Sequence, residues 1–290
     1  MNWCKRCIIP DTRPQIVFKD GICSACLSHE TKKKIDWKAK EKEFRKFADK
    51  PCLIPVSGGK DSTWQIVMCL KYGLKPTLFT WVPPCQTELG GKNLDNLQFF
   101  GLSHLKYFRG EKEKTEIRNA FDVHGDPGLV MHTYLRGHVR LFASAYRFII
   151  WGENPRQEYS CNMMGKNKPW EIYLGDYFPY DPVISCKLAK QCGFQAADKP
   201  TTGYYKFSDL DDHITPVHHW LKWPKYGFTR AHDNLSIEIR NGRIGRKEAW
   251  KIARELGHEP PMEDIEIFCK YLGITEKHFW AVVKRFTKYE

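Results

Sequence analysis

The sequence predicts an α/β fold: a doubly wound parallel sheet, with a small cysteine-bearing module before it and a helical part after it. Three observations predict this. Short apolar segments alternate with helix-length amphipathic ones from about residue 51 to residue 154. The first strand-to-helix junction carries adjacent glycines in "SGGKDS", residues 57–62. Four cysteines near the start stand as two C-x2-C pairs.

The cysteines come first in the chain. Cys4 and Cys7 in "CKRC" and Cys23 and Cys26 in "CSAC" give C-x2-C-x15-C-x2-C. Two residues between cysteines let both sulfurs of a tight turn face one ion, and two such knuckles complete a tetrahedral thiolate site. Pro10, Asp11, Pro14 and Asp20-Gly21 supply turns, and "QIVF" reads as a short strand of a ribbon. A segment of this size buries too little apolar surface to fold alone, so a metal staple is expected. Structural Zn²⁺ is the favoured ion, with an iron–sulfur cluster as the rival. A closed four-sulfur site leaves no position for substrate. Residues 31–50, "TKKKIDWKAKEKEFRKFADK", read as an amphipathic linker helix.

Residues 51–56 have the length of a buried strand, and 62–72 form a helix closed by Gly73. Gly58 and Gly59 therefore sit on the turn between them. Two glycines allow positive φ and let a phosphate approach without a Cβ in the way. Amides at the start of the following helix then face the anion. Ser57 and Ser62 add hydroxyls, Lys60 a charge, and Asp61 a ligand for Mg²⁺ or a helix cap. The spacing differs from the Walker pattern.

Residues 76–81 read as a second strand, "HLKYF" as a third and 147–154 as a fourth, ending in Gly152-Glu153-Asn154. Helices are expected at about 91–100, 111–124 and 134–147. Ligands in such sheets bind at the carboxyl ends of the strands, where Ser57, Thr80 and Gly152 fall. From Arg246 onward two or three amphipathic helices follow, such as "RKEAWKIAREL". The expected organisation is a knuckle module over 1–30, a linker helix over 31–50, an ATP-binding domain over 51–215 and a C-terminal substrate-binding, helical region over 216–290.

A formal net charge of +12 over 290 residues suits an anionic partner such as a nucleotide, a nucleotide-sugar or nucleic acid. The chain has no run of 18 apolar residues and no apolar signal core at its start, so a soluble, cytoplasmic protein with no membrane partner is expected. Eleven cysteines in such a chain favour metal binding over a disulfide framework.

The order Ser-Gly-Gly-x-Asp-Ser resembles the pyrophosphate loop, or PP-loop, of enzymes that cleave ATP to AMP and pyrophosphate. The wider set of motifs is more specific. "WCKRCIIPDTRPQIVFKDGICSAC", "PVSGGKDSTWQ", "QTELGGKNLDNL", "IIWGENPRQEY", "YLGDYFPYDP" and "KYGFTRAHDNLSIEIRNGRIGRKEA" together resemble the N-acetyl sugar amidotransferase family. These are PP-loop proteins similar to the amidotransferases of pseudaminic acid, lipopolysaccharide and O-antigen biosynthesis. The resemblance implies a PP-loop fold of the adenine nucleotide alpha hydrolase type, which is Rossmann-like, with a zinc-ribbon-like N-terminal module. It also implies a reaction, in which ATP adenylylates the amide oxygen of an N-acetyl sugar and ammonia displaces AMP to leave an acetamidino group. The ammonia would come from a partner glutaminase similar to the glutaminase and cyclase pair (HisH and HisF) of histidine biosynthesis.

The resemblance assigns ATP binding to Ser57, Gly58, Gly59, Lys60, Asp61, Ser62, Thr80 and Gly152. Catalytic roles are expected for Lys60, Asp61, Glu153, Arg230 and Asp233. Substrate contacts are expected for Gln86, Thr87, Glu88, Asn154 and Arg240, since arginine's planar fork suits phosphate and carboxylate. Alternatives stand beside these: Thr87 in a helix-capping loop, Asp233 in a buried ion pair, Arg240 at a surface turn. The chain departs from the family in carrying Gly128 and Met131 where members have cysteines, and in being shorter between Tyr159 and Trp170. The rival function is a PP-loop tRNA-modifying enzyme of the thiolase type. Thiolases need further paired cysteines near the nucleotide, and no third C-x2-C pair occurs.

Overall fold

The computed structural model describes residues 1–32, 34–108, 110–152 and 170–289. It opens with a hairpin of β1 (Phe18–Lys19) and β2 (Ile22–Cys23), followed by α1 (Ser24–Lys32) and α2 (Trp37–Phe44). The strand expected at "QIVF" lies further on because Asp20-Gly21, at φ 54° and 77°, makes the two-residue turn that sets the pairing. The single helix expected over 31–50 is two helices. The Asp36 carboxylate accepts from the Lys38 and Ala39 amides and starts a new one.

The main sheet follows: β3 (Pro51–Pro55), α3 (Lys60–Lys71), β4 (Lys75–Trp81), α4 (Glu88–Asn96), β5 (His104–Tyr107), α5 (Glu111–His124), α6 (Gly128–Phe142), β6 (Phe148–Trp151), β7 (Glu171–Tyr173) and α7 (Pro182–Gln191). The strand order is β5-β4-β3-β6-β7, and every pairing is parallel. This is the doubly wound arrangement expected from the sequence. The order reverses at β3, so the crevice at the carboxyl ends of β3 and β6 is the switch point where such folds bind ligands. β7 was not anticipated. α6 starts earlier than expected because the Asp126 carboxylate accepts from the Gly128 amide, 2.9 Å away.

Adjacent residues on each central strand face opposite layers. Ile54, Leu78 and Ile150 join a core with Trp64 of α3, whereas Leu53, Phe79 and Ile149 join one with Val139 of α6. The helical part comprises α8 (Ile214–Trp220), α9 (Lys222–Tyr226), α10 (Arg230–Arg240), α11 (Arg246–Ala253), α12 (Met262–Leu272) and α13 (Glu276–Phe286). Its core joins Phe268 and Phe279 to Ile117 and Phe121 of α5. Among the described residues no helix is long and apolar enough to cross a membrane.

The four N-terminal cysteines are buried together, with Cys4 and Cys26 sulfurs 3.9 Å apart and those of Cys7 and Cys23 3.6 Å apart. All four lie within 4.8 Å of one another. A tetrahedral ion with bonds of about 2.3 Å sets its sulfurs about 3.8 Å apart, so the set fits one ion. A multi-iron cluster would spread its thiolates over several metals and needs more room. The module is fastened to the body from below. Arg246 of α11 donates to the Cys7 and Cys4 carbonyls at 3.0 and 3.1 Å, and the Ile8 amide donates to Ser236 Oγ of α10 at 3.3 Å.

Two predictions follow from this packing. Purified protein carries one ion per chain by elemental analysis, and stripping it with a chelator lowers the thermal midpoint by several degrees, because the ion replaces a core the module is too small to have. Second, Gly58 has φ +89°, and a Cβ there would stand 2.5 Å from the Leu94 backbone nitrogen of α4. Gly58→Ala therefore costs at least about 2 kcal/mol in a denaturant titration, and more than Gly242→Ala, whose site has positive φ but open space around it.

Candidate active site

Residues 56–59 turn the chain from β3 into α3. The loop is held on itself: Ser57 N–H donates to Ser62 Oγ at 2.8 Å, and Gly59 N–H points to Ser57 Oγ at 3.4 Å. Gly59 is the N-cap of the twelve-residue α3 and supplies no side-chain cap. The first-turn amides and the positive end of the helix are thereby left for an anion. A pocket of about 160 Å³ lies against them. Ser57, Gly59, Lys60, Asp61 and Ser62 form one wall.

The opposite wall comes from a strap, residues 207–211, together with Tyr205 and with Arg230 and Asn234 of α10. What holds the strap is the "QTELGG" block. Thr87 N–H donates to the Asp211 carbonyl at 3.2 Å, the Thr87 hydroxyl donates to the Leu210 carbonyl, and Gln86 bridges to Asp212. His213 N–H donates to the Cys85 carbonyl at 3.0 Å. A Cβ on Gly90 would lie 2.5 Å from the Asp211 carbonyl oxygen, so this close approach requires glycine. Thr87 is also the N-cap of α4, accepting from Gly90 N–H at 2.8 Å. The block expected to touch substrate thus supports the strap instead. Glu88 is exposed and pairs with Lys92 on the surface.

Lys60 and Asp61 form an ion pair at the pocket, and the Tyr180 hydroxyl donates to Asp61. The Lys60 ammonium lies 5.5 Å over the Phe207 ring, which holds it toward the strap. Arg230 stands 3.8 Å from a carboxylate oxygen of Asp209 and 3.8 Å from one of Asp233. Asp209 has φ +62°, a strained turn that the side chain's polarity makes tolerable. Burial works to raise its pKa, but His219, Arg230 and Lys222 outweigh this and hold it below the ordinary carboxylate range.

The remaining expected residues are placed elsewhere. Asp233 is 3% exposed, with its oxygens 2.7 Å from Arg13 and 3.0 Å from Lys222, so it lies beneath the pocket in a buried ion network. Its place is that of a structural anion, because both oxygens are already occupied. Arg240, at the far end of α10, follows Ile239, which packs on the cysteine cluster; the Cys23 and Cys26 sulfurs, and to a lesser extent Arg240, pull the Cys7 thiol below its usual value. Thr80 is buried, its hydroxyl donating to the Val56 carbonyl at 2.8 Å and lying 2.7 Å from His104 Nε2. Gly152 follows β6 directly, where a Cβ would come 2.6 Å from Gln65 Oε1. Glu153 and Asn154 lie outside the described residues. Sequence reasoning missed Tyr180, Tyr205, Asn234 and the strap. The available signal was "SDLDD", three carboxylates in four positions beside the aromatic "YYKF".

Comparison with known proteins bears on the C-terminal wall. Residues 201–290 match the family described as "LPS biosynthesis protein WbpG-like, C-terminal domain". That span contains the strap and α10. No curated protein matches the chain. Among solved structures, NMN synthetase from Francisella tularensis is 12% identical with TM-score 0.42, over 82% of this chain and 94% of that one. The U34-tRNA thiolase NcsA from Methanococcus maripaludis, solved with its [4Fe-4S] cluster, is 13% identical with TM-score 0.37, over 93% and 95%. A predicted subunit of tRNA methyltransferase from Methanocaldococcus jannaschii is 20% identical with TM-score 0.35, over 48% and 75%. Of the motifs quoted from the sequence, "KYGFTRAHDNLSIEIRNGRIGRKEA" falls within the span, residues 201–290, that is similar to this family of LPS biosynthesis proteins.

Proposed function

We propose that the chain is an ATP-dependent amidotransferase that turns the N-acetyl group of a sugar or nucleotide-sugar into an acetamidino group. The observation that carries this reading is the Ser57–Ser62 loop at the switch point, sharing one pocket with the strap and α10 of the WbpG-like part. An amide is a poor electrophile. Transfer of AMP to its oxygen releases pyrophosphate and makes that oxygen a leaving group. Ammonia then forms the new C–N bond, the C–O bond breaks, and AMP departs with the oxygen while a base takes the surplus proton.

The chain's own groups suit the two halves of the pocket. The glycine turn and the start of α3 would hold the pyrophosphate portion of ATP, with Lys60 set against the charge that develops on it. Asp61 and Asp211 are hard oxygen donors on the pocket walls and would hold Mg²⁺, which would supply positive charge against the phosphates. Arg230 and Asn234 line the same pocket from α10, across from the loop. The four-cysteine ion is proposed to be Zn²⁺ in a purely structural role, since its thiolates close the coordination sphere. A glutaminase partner supplying ammonia and a cytoplasmic site of action belong to the same reading. A tRNA thiolase is the weaker alternative, because among the described residues the pocket lining contains no cysteine to carry sulfur.

The direct test is pyrophosphate release. It is expected with ATP, Mg²⁺, ammonia and an acetamido nucleotide-sugar together, and absent when the sugar is replaced by tRNA; release that needs tRNA would overturn the proposal. Lys60→Met is expected to slow release at least about a hundredfold.

Asp211 gives a pH test. Burial first, then repulsion from Asp212 and Asp209, pushes its carboxyl up to about 7. Between the unfolded value and about 7 the folded chain holds a proton that the unfolded chain has released. Stability contributed by this group is therefore fully present at low pH and lost as pH rises through that window. Asp211→Asn is expected to lose less of its thermal midpoint than the parent between about pH 5 and about pH 7.5. Equal losses would show that Asp211 titrates normally.

A further inference from the structure

A buried charge cluster runs from the pocket to the N-terminal module, and its members come from four separate segments. Arg13 belongs to the module's "PDTRP" turn, Asp209 to the strap, Lys222 to α9, and Arg230 and Asp233 to α10. Arg13 Nε lies 2.7 Å from Asp233 Oδ1. Lys222 Nζ lies 3.0 Å from Asp233 Oδ2, and Arg230 Nη1 lies 3.8 Å from that same oxygen. The Arg13 side chain is 9% exposed and that of Asp233 1%, so solvent screens these charges little.

Three cations, Arg13, Lys222 and Arg230, lie among two carboxylates, Asp209 and Asp233, and His219 Nε2 stands 3.1 Å from Asp209 Oδ1. Arg230 keeps 3.8 Å from each carboxylate, an ion-pair separation longer than a hydrogen bond. Of the three cations, Arg230 reaches the pocket lining. Arg13 has a second fastening, because the neighbouring Thr12 hydroxyl donates to the Tyr226 carbonyl at 2.6 Å and fixes the turn against α9. The module therefore presents Arg13 on a rigid turn, and Asp233 is held from the side opposite Arg230.

We propose that Arg13 is a positioning residue for Arg230: by anchoring Asp233 it sets the guanidinium that receives a phosphate group in the pocket. The inference rests on the reading that this pocket takes a nucleotide. It gives the cysteine module a task beyond stability, since the module carries the residue that orders a cation on the far wall of the site. Arg13 acts through Asp233 and touches no ligand itself.

The test is calorimetric titration of the full, metal-loaded chain with inorganic pyrophosphate and Mg²⁺, with metal content and thermal midpoint measured on every variant. Arg230→Gln is expected to weaken binding about tenfold or more. The double variant R13Q/D233N removes both charges of the Arg13–Asp233 pair, at the cost of the carboxylate 3.0 Å from Lys222, and it is expected to weaken binding about tenfold as well. Adding R230Q to that double variant is expected to cost nothing further, because the three residues act as one unit. Pyrophosphate affinity at the parent level in R13Q/D233N, with R230Q still defective, would overturn the positioning role. A fully additive triple variant would overturn it too. Should the double variant not fold, R13K decides the matter: it keeps the charge but loses the fork, and a loss of about threefold at unchanged midpoint and metal content is expected, whereas parent affinity counts against the proposal. Parent affinity in R230Q itself is a separate pattern, and it would overturn the nucleotide reading of the pocket and this inference with it.

Discussion

The pocket exists because α4 is pressed between two backbones. On one side Gly58 brings the Ser57–Gly59 turn against the backbone of Asn93 and Leu94, and on the other Gly90 admits the Leu210–Asp211 backbone. Neither approach leaves room for a Cβ. One short helix thereby fixes the distance between the two walls of the site. Asn93 extends the same bracing, since its side chain donates to the Gln195 carbonyl at 2.9 Å and accepts from the Gln195 amide at 2.8 Å. A site set by backbone contacts of this kind is stiff, and stiffness is what positioning chemistry requires.

The second organising feature is charge held out of water. Asp233 would be prohibitively costly alone, and it persists because Arg13 and Lys222 occupy its oxygens. Glu238 is treated the same way: Arg243 pairs with both of its oxygens and also reaches Asp181, the N-cap of α7. α10 thus carries two buried acids, Asp233 clamped by cations from the N-terminal module and α9, and Glu238 by Arg243 of the turn that follows the helix. Its N-terminal end faces the pocket while its far end meets the cysteine module through Ser236 and Arg240. The helix is a strut between the four-cysteine cluster and the pocket.

Local signals were enough for the elements themselves. The alternation of apolar strands with amphipathic helices, the glycines of "SGGKDS" and the two cysteine pairs each act over a few residues, so the sequence alone determined a parallel α/β sheet, an anion-ready turn and a four-thiol cluster. Spacing of that kind is local physics: turn geometry, helix period and the reach of a side chain from its own backbone. What the tertiary structure decided was partnership. Thr87 and Asp233 looked like active-site residues because their chemistry permits it, and only the docking of a strap more than a hundred residues downstream, and of an arginine from the first turn of the chain, turned them into supports. The strap gave the reverse case: its acidic run carries no local geometry, and it became a wall of the site because the close approach of Gly90 and the hydrogen bonds of Thr87 hold it there. Long-range burial assigns roles among residues of equal chemistry, and no period or motif in a single chain records which distant group will arrive.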